Sequence, residues 1–256
     1  MVASPGAWMN YLSLFQILKH GNQMECRIRR KPVIPCPGEV ITYEEMCLYE
    51  GHRFSSEMNY RSSYDHGVLL MSLTPEASHC HRIESNGNTI IYEGHNAAQS
   101  QYKPIIRFMD QPMHFHAGGL TQNGLFFKAA LDFRNGTSSP ELVRVYEEIK
   151  SGIWIYDGLF KVVDGWQEPN PDRSVFRFRL ELCSEPDPVN MRYSENWRVL
   201  PQSLKLEVWK RNEGRCSRCG SALHLRFTIT QRPGSSVTPS LEDITLLCRR
   251  ERSQLT

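Results

Sequence analysis

The chain has 256 residues, 40 % of them apolar and 23 % charged, the balance of a globular protein with room for one sizeable domain and a smaller one. No stretch reaches the roughly eighteen apolar residues that a membrane-spanning helix needs, so no membrane partner is expected. The formal net charge is only +2, but from Arg198 onward eleven Lys and Arg stand against five acids, a cationic tail suited to phosphate contacts.

In chain order, Met1 to Gly38 is polar and broken by Pro32, Pro35 and Pro37, with a basic burst from Arg27 to Lys31. It reads as a poorly ordered extension. The apolar residues between Trp8 and Leu18 lack a basic lead-in and a small-residue cleavage site, so they do not read as a signal peptide. Of eight cysteines, five (Cys26, Cys36, Cys47, Cys80, Cys183) are scattered singly, the usage of a reducing compartment, which predicts a cytoplasmic protein.

Residues 39–184 read as one α+β domain. Val68–Leu73 and Thr89–Tyr92 are short apolar strands, the second led by an Asn86-Gly87-Asn88 turn. Thr121 caps a helix carrying Leu125, Phe126, Ala129, Ala130 and Phe133, stopped by Asn135-Gly136. Ser138-Ser139-Pro140-Glu141 predicts a second helix, with Leu142, Val145, Tyr146 and Ile149 on one face, Glu147-Glu148 solvated, and a stop at Gly152. Asp157-Gly158 between Ile153–Tyr156 and Leu159–Val163 predicts a hairpin turn. In Val175–Leu182, Phe176, Phe178, Leu180 and Leu182 alternate with Arg177, Arg179 and Glu181, which predicts a further strand. These antiparallel strands imply a curved sheet or small barrel. Residues 185–199 form the expected linker, and 200–256 the smaller module.

That module opens on a helix-patterned segment, Pro201 to Gly214, running into Cys216-Ser-Arg-Cys219, with Cys248 downstream. Two thiols separated by two residues, with a third further on, form the usual knuckle of a small zinc module. Cys216, Cys219 and Cys248 are the expected ligands, with Glu251, three residues past Cys248, as a weaker fourth. The bland alternative is two or three buried thiols in a small core. His79 and His81 around Cys80, and His114 and His116 around Phe115, share a strand-face spacing but have no third ligand nearby, so loop histidines are expected there.

Tyr156-Asp-Gly-Leu-Phe-Lys-Val-Val-Asp-Gly-Trp-Gln-Glu168, with Val175–Leu180 after it, resembles the end of an SRA (YDG) domain, a family that reads modified cytosine by flipping it from DNA. Ile90–His95, Asp110-Gln111-Pro112 and Leu120–Asn123 resemble further parts of that family in order, over roughly Gly51 to Leu182. The resemblance implies Tyr92 as a base-stacking ring, Asp110 and Gln111 as pocket support, and His79 and His81 where the family carries an aromatic and then an acid. A flipped base needs a ring to stack on, a hydrogen-bonding edge and cations on the flanking phosphates. The alternative for Tyr92 is a core tyrosine.

Glu207 to Ser221 with Leu246-Leu247-Cys248 resembles the HNH (ββα-metal) endonucleases, and the two resemblances together look like modification-dependent restriction endonucleases. This implies modified double-stranded DNA as partner, Lys210, Arg211 and Arg218 as phosphate contacts, structural zinc, and magnesium or manganese in an active enzyme. Cleavage of both strands further implies a homodimer. Catalysis in this family needs a cation ligand and a histidine base. Phe227, Thr228 and Ile229 stand where the pattern has hydrophobe, Asp and His, and Arg252 replaces the helix asparagine. Neither Thr228 nor Ile229 can take a proton at neutral pH. His224 is the one histidine of the module and the weak candidate base. Three functions stay open: an HNH-type nuclease, a DNA reader that does not cleave, and an RNA- or nucleotide-binding barrel.

Overall fold

The structure, a computed structural model, describes residues 35–61, 66–72, 80–84, 87–96, 109–171, 173–184, 197–230 and 239–254. The Arg27–Lys31 burst, His79 and most of the expected linker lie outside these residues. Pro32–Thr256 makes one compact unit. Among the described residues no helix is long and apolar enough to cross a membrane.

The architecture is α+β. A two-residue strand, β1 (Val40–Ile41), leads into α1 (Tyr43–Glu50). The Thr42 hydroxyl accepts from Glu45 N at 3.2 Å, while the Glu45 carboxylate accepts from Thr42 N at 2.8 Å. This reciprocal cap satisfies two donors that the first helical turn leaves open. Gly51, at φ +65°, ends the helix.

The curved sheet that follows contains β2 (Met58–Asn59), β3 (Gly67–Ser72), β4 (Arg82–Ile83), β5 (Thr89–Glu93), β6 (Glu141–Lys150), β7 (Ile153–Asn170) and β8 (Arg173–Leu182). Their order is β2-β3-β6-β7-β8-β5-β4, with β1 added to β7. β3 and β6 run parallel, and every other recorded pairing in the sheet is antiparallel. Helix α2 (Gln122–Arg134) forms where its caps predict, with the Thr121 hydroxyl accepting from Gly124 N. It sets Phe126 and Ala130 into a core with Val143, Phe160, Val162, Phe176 and Phe178.

Two sequence expectations are corrected. Residues 141–150 are not a helix but β6, between β3 and β7. Val143, Val145, Tyr146 and Ile149 favour a strand once neighbours exist on both sides. Being central, β6 is covered on both faces, which erases the alternation that would have marked it. Glu147 is therefore fully buried rather than solvated. Asp157-Gly158, likewise, is no hairpin turn. It lies inside the eighteen-residue β7, opposite a register shift between Val145 and Tyr146. Gly158 takes φ +126° at this bulge. The β6–β7 turn comes earlier, at Ser151-Gly152, with Gly152 at φ +77°.

The C-terminal part contributes α3 (Gln202–Arg211), a hairpin of β9 (Leu225–Ile229) and β10 (Ile244–Cys248), and a short helix, α4 (Arg249–Arg252). It packs closely on the sheet. Ile149 and Ile155 share one apolar cluster with Trp197, Leu200, Val208, Phe227 and Leu246. Phe227 N donates to Gly38 O at 3.0 Å, Trp197 Nε1 donates to Asp157 O at 2.8 Å, and Arg252 pairs with Glu39 at 2.7 Å.

Candidate functional site

A pocket of about 410 Å³ opens beside the end of β5. Phe54, Ser56, Glu57, Leu70, His95 and Asn96 line it, with Ser55. Its volume falls within the range of small-ligand sites. His95 and Asn96 supply one wall, and buried side chains from after the strand hold the Gly94–Asn96 segment in position. Gln111 is buried; its Nε2 donates to Gly94 O at 2.6 Å, and its Oε1 accepts from Phe176 N at 2.7 Å. Asn123 clamps His95 from both sides: its Oδ1 accepts from His95 N at 2.8 Å and its Nδ2 donates to His95 O at 2.9 Å. Gly94 makes this close approach possible, since a Cβ there would lie 2.5 Å from Asn123 Oδ1 and 2.8 Å from Gln111 Oε1. Asp110 is one step removed, accepting from Ser174 N at 2.6 Å.

Tyr92 is completely buried, its ring stacked on His81 with centroids 4.1 Å apart. Its hydroxyl donates to Leu70 O at 2.9 Å, so the phenol end lies behind the pocket wall. Burial holds that hydroxyl well above its usual pKa, and it stays a donor. His81 is largely buried, and its Nδ1 accepts from Glu93 N at 3.0 Å. Glu93 is held by Arg173 and Arg177, each at 3.0 Å, and accepts from Cys80 N at 2.9 Å. His114 and His116 are exposed in the loop before α2.

The second candidate centre is the cysteine group. The sulfurs of Cys216, Cys219 and Cys248 lie within 4.8 Å of one another, Cys219 and Cys248 at 3.5 Å, and the three can hold a metal ion. Cys216 N donates to Ser221 O at 2.7 Å and Gly220 N to Cys216 O at 2.9 Å, with Gly220 at φ +71°, so the chain reverses tightly around the sulfurs. A tetrahedral thiolate site with bonds of about 2.3 Å puts sulfurs about 3.8 Å apart, a small adjustment from this spacing. Burial pushes the Cys216 thiol up, but N–H groups of Cys248, Cys219 and Arg218 outweigh it and bring the thiol to about 7. Glu251 is not part of the group; its carboxylate accepts from Arg250 at 3.2 Å.

Of the expected phosphate contacts, Lys210 and Arg218 are exposed. The Arg211 guanidinium donates to Leu241 O at 2.8 Å and also to Ile244 O, which fastens α3 to the hairpin. His224 is exposed at φ +51°, immediately before β9. Cys248 pairs with Leu225, so His224 belongs to the cysteine end of the hairpin, whereas Thr228 and Ile229 finish β9 at the other.

Phe54, Ser56, Glu57 and Asn96 were not singled out by the sequence, and His95 and Asn123 closed two of the resembling segments without a role of their own. Glu57 and His95 are separated by 37 intervening residues, so no local spacing joins them. The sequence also missed a buried cluster under α3, in which Lys205 pairs with Glu147 and Asp157.

No protein-family model matches the chain, and no curated protein matches it. Among solved structures, SRA domains recur. The SUVH5 SRA domain bound to fully methylated CG DNA is 21 % identical, with a TM-score of 0.42 over 62 % of this chain and 95 % of that one. The same domain bound to fully hydroxymethylated CG DNA is 20 % identical, with a TM-score of 0.43 over 62 % and 95 %. Arabidopsis thaliana SUVH6 in complex with SAM is 20 % identical, with a TM-score of 0.36 over 60 % of this chain and 26 % of that one.

Proposed function

We propose that this chain is a reader of modified bases in DNA, with a zinc-organised cationic module at its C-terminal end. One observation carries the reading: a pocket lies at the end of β5, beside Tyr92, with a clamped backbone wall and an acid, an imidazole and an amide on its surface. Base readers need such a recess, because a base inside a duplex hides its hydrogen-bonding edge. The exposed Lys210 and Arg218 supply charge for the backbone. Three thiolates form a donor set that suits zinc, with a fourth position left to solvent.

Cleavage is the second reading, favoured by the succession β9, β10, α4, which is the ββα order of HNH enzymes. It lacks a base in the right place. His224 and Thr228 are four residues apart along an extended strand, about 13 Å. The test is to incubate the purified chain with duplexes bearing cytosine, 5-methylcytosine or 5-hydroxymethylcytosine, with magnesium or manganese, and to score binding and nicking together. Salt-sensitive binding that prefers a modified duplex, without products, is expected. Metal-dependent nicking lost in His224→Ala would establish the nuclease instead, and preference for structured RNA would overturn both.

A further inference from the structure

We propose that the three-cysteine site is a peroxide-operated switch: hydrogen peroxide joins Cys219 to Cys248 as a disulfide and releases the bound ion, and a dithiol with fresh metal restores it. The inference rests on the metal site of the reading above and adds how that site is opened. Cys219 is exposed, whereas Cys216 and Cys248 are buried. The Cys219 sulfur lies 3.5 Å from that of Cys248. An exposed thiolate with a second sulfur in contact is the arrangement in which oxidation ends at a disulfide rather than at a higher acid.

The site is also short of a ligand. Among the described residues these three make up the whole group, and the Glu251 carboxylate is turned to Arg250. A closed structural site has four donors, so three leave one face of the ion open to a small oxidant. Cys216 is the less available partner for Cys219, because N–H groups of Cys248, Cys219 and Arg218 already donate to its sulfur. Cys248 is kept within reach. Ser217 N donates to Leu246 O at 2.9 Å and Thr245 Oγ1 donates to Ser217 Oγ at 2.9 Å, which fastens the knuckle to β10.

The Cys219 thiolate attacks one peroxide oxygen, the O–O bond breaks, and hydroxide leaves behind a sulfenic acid. The Cys248 thiolate then attacks that sulfur, forms the S–S bond and expels the second oxygen as hydroxide. Each sulfur loses one electron and the peroxide gains two. Two protons from solvent turn both hydroxides into water. A thiolate is the metal ligand and a disulfide sulfur is not, so the ion retains Cys216 alone and departs.

The test uses the full chain, purified with reductant, desalted, and shown by elemental analysis to carry zinc. Hydrogen peroxide should release the ion to a chromogenic chelator at a rate proportional to its concentration. Peptide mapping of the product should find Cys219 joined to Cys248, and dithiothreitol with zinc should return the metal content to its starting value. Cys80→Ser removes the other exposed cysteine among the described residues and should leave the release rate unchanged. A loaded chain that keeps its ion in peroxide, a disulfide between Cys216 and Cys219, or a release that dithiothreitol and zinc cannot reverse would each overturn the switch and leave the metal site standing. A chain that carries no metal before oxidation would overturn both.

Discussion

Lys205 Nζ lies 2.7 Å from Asp157 Oδ1, and neither side chain has any exposed surface. Glu147 Oε2 contacts the same ammonium, so one cation from α3 sits between two carboxyl groups from neighbouring strands of the sheet. Desolvating these charges costs several kcal/mol each and is offset only while the set is complete. Lys205→Met should therefore lower the stability of the whole chain by about 3–5 kcal/mol. A urea denaturation midpoint within error of the wild type would rule out the structural role of this cluster.

The same cluster carries a pH dependence. Burial pushes the Glu147 carboxyl up to about 8, with the Lys205 ammonium opposing and Asp157 adding to the rise. The unfolded chain releases this proton near 4.5, so the folded state retains a proton that the unfolded state has lost. The resulting stability is fully present below about 4.5 and disappears as pH climbs through about 8. Glu147→Gln keeps the shape and removes the titration. The melting temperature of the wild type should fall relative to Glu147→Gln between about pH 5 and 8. Parallel curves would mean that Glu147 is ionised in the folded protein.

What could be read from the sequence follows from the range of each interaction. Thr121 and Asn135 bound α2 because caps act within one turn, and Cys216 and Cys219 come together because the knuckle is local. Thr42-x-x-Glu45 was an equally local signal for α1, and the sequence reading missed it. β6 was misread because its covering on both faces depends on β3 and β7, which are distant in the chain. Asp157-Gly158 has the composition of a turn, but Lys205, 48 residues away, keeps Asp157 inside the sheet. The pocket was the least legible, since it joins residues before β2 to residues after β5. Gln111 was named in advance as a support together with Asp110, which lies one step further out on Ser174, whereas the lining residues before β2 were not.

Gly94 offers a way to disturb the pocket without touching its lining. In Gly94→Ala the new methyl group would overlap Asn123 Oδ1 and Gln111 Oε1, and both amides would have to leave their hydrogen bonds to the Gly94–Asn96 segment. Each broken buried bond costs about 1–3 kcal/mol, so some destabilisation is expected. The decisive measurement is affinity for a modified duplex at a temperature where the variant is still folded by circular dichroism. A loss of at least about tenfold is expected, roughly 1.4 kcal/mol. Wild-type affinity would mean that this wall plays no part in binding.

Metal removal should act on more than the C-terminal hairpin. Cys216 and Cys248 belong to the apolar cluster that also holds Ile149 and Ile155 of the sheet, so loosening the sulfurs loosens a shared core. Chelation should shift one cooperative thermal transition of the whole chain to lower temperature. The shift reports the linkage of binding to folding, about 2.7 kcal/mol when free metal is at a hundredfold its Kd. Serine substitutions separate the metal from the packing. Cys219 is exposed while Cys216 is buried, so Cys219→Ser should abolish metal binding and remove the sensitivity to chelator while costing little packing. Cys216→Ser should cost both. If Cys219→Ser melts like the chelated wild type, the metal supplies the stability. If instead it melts like the metal-loaded wild type, the three sulfurs are packing groups and the metal site is wrong.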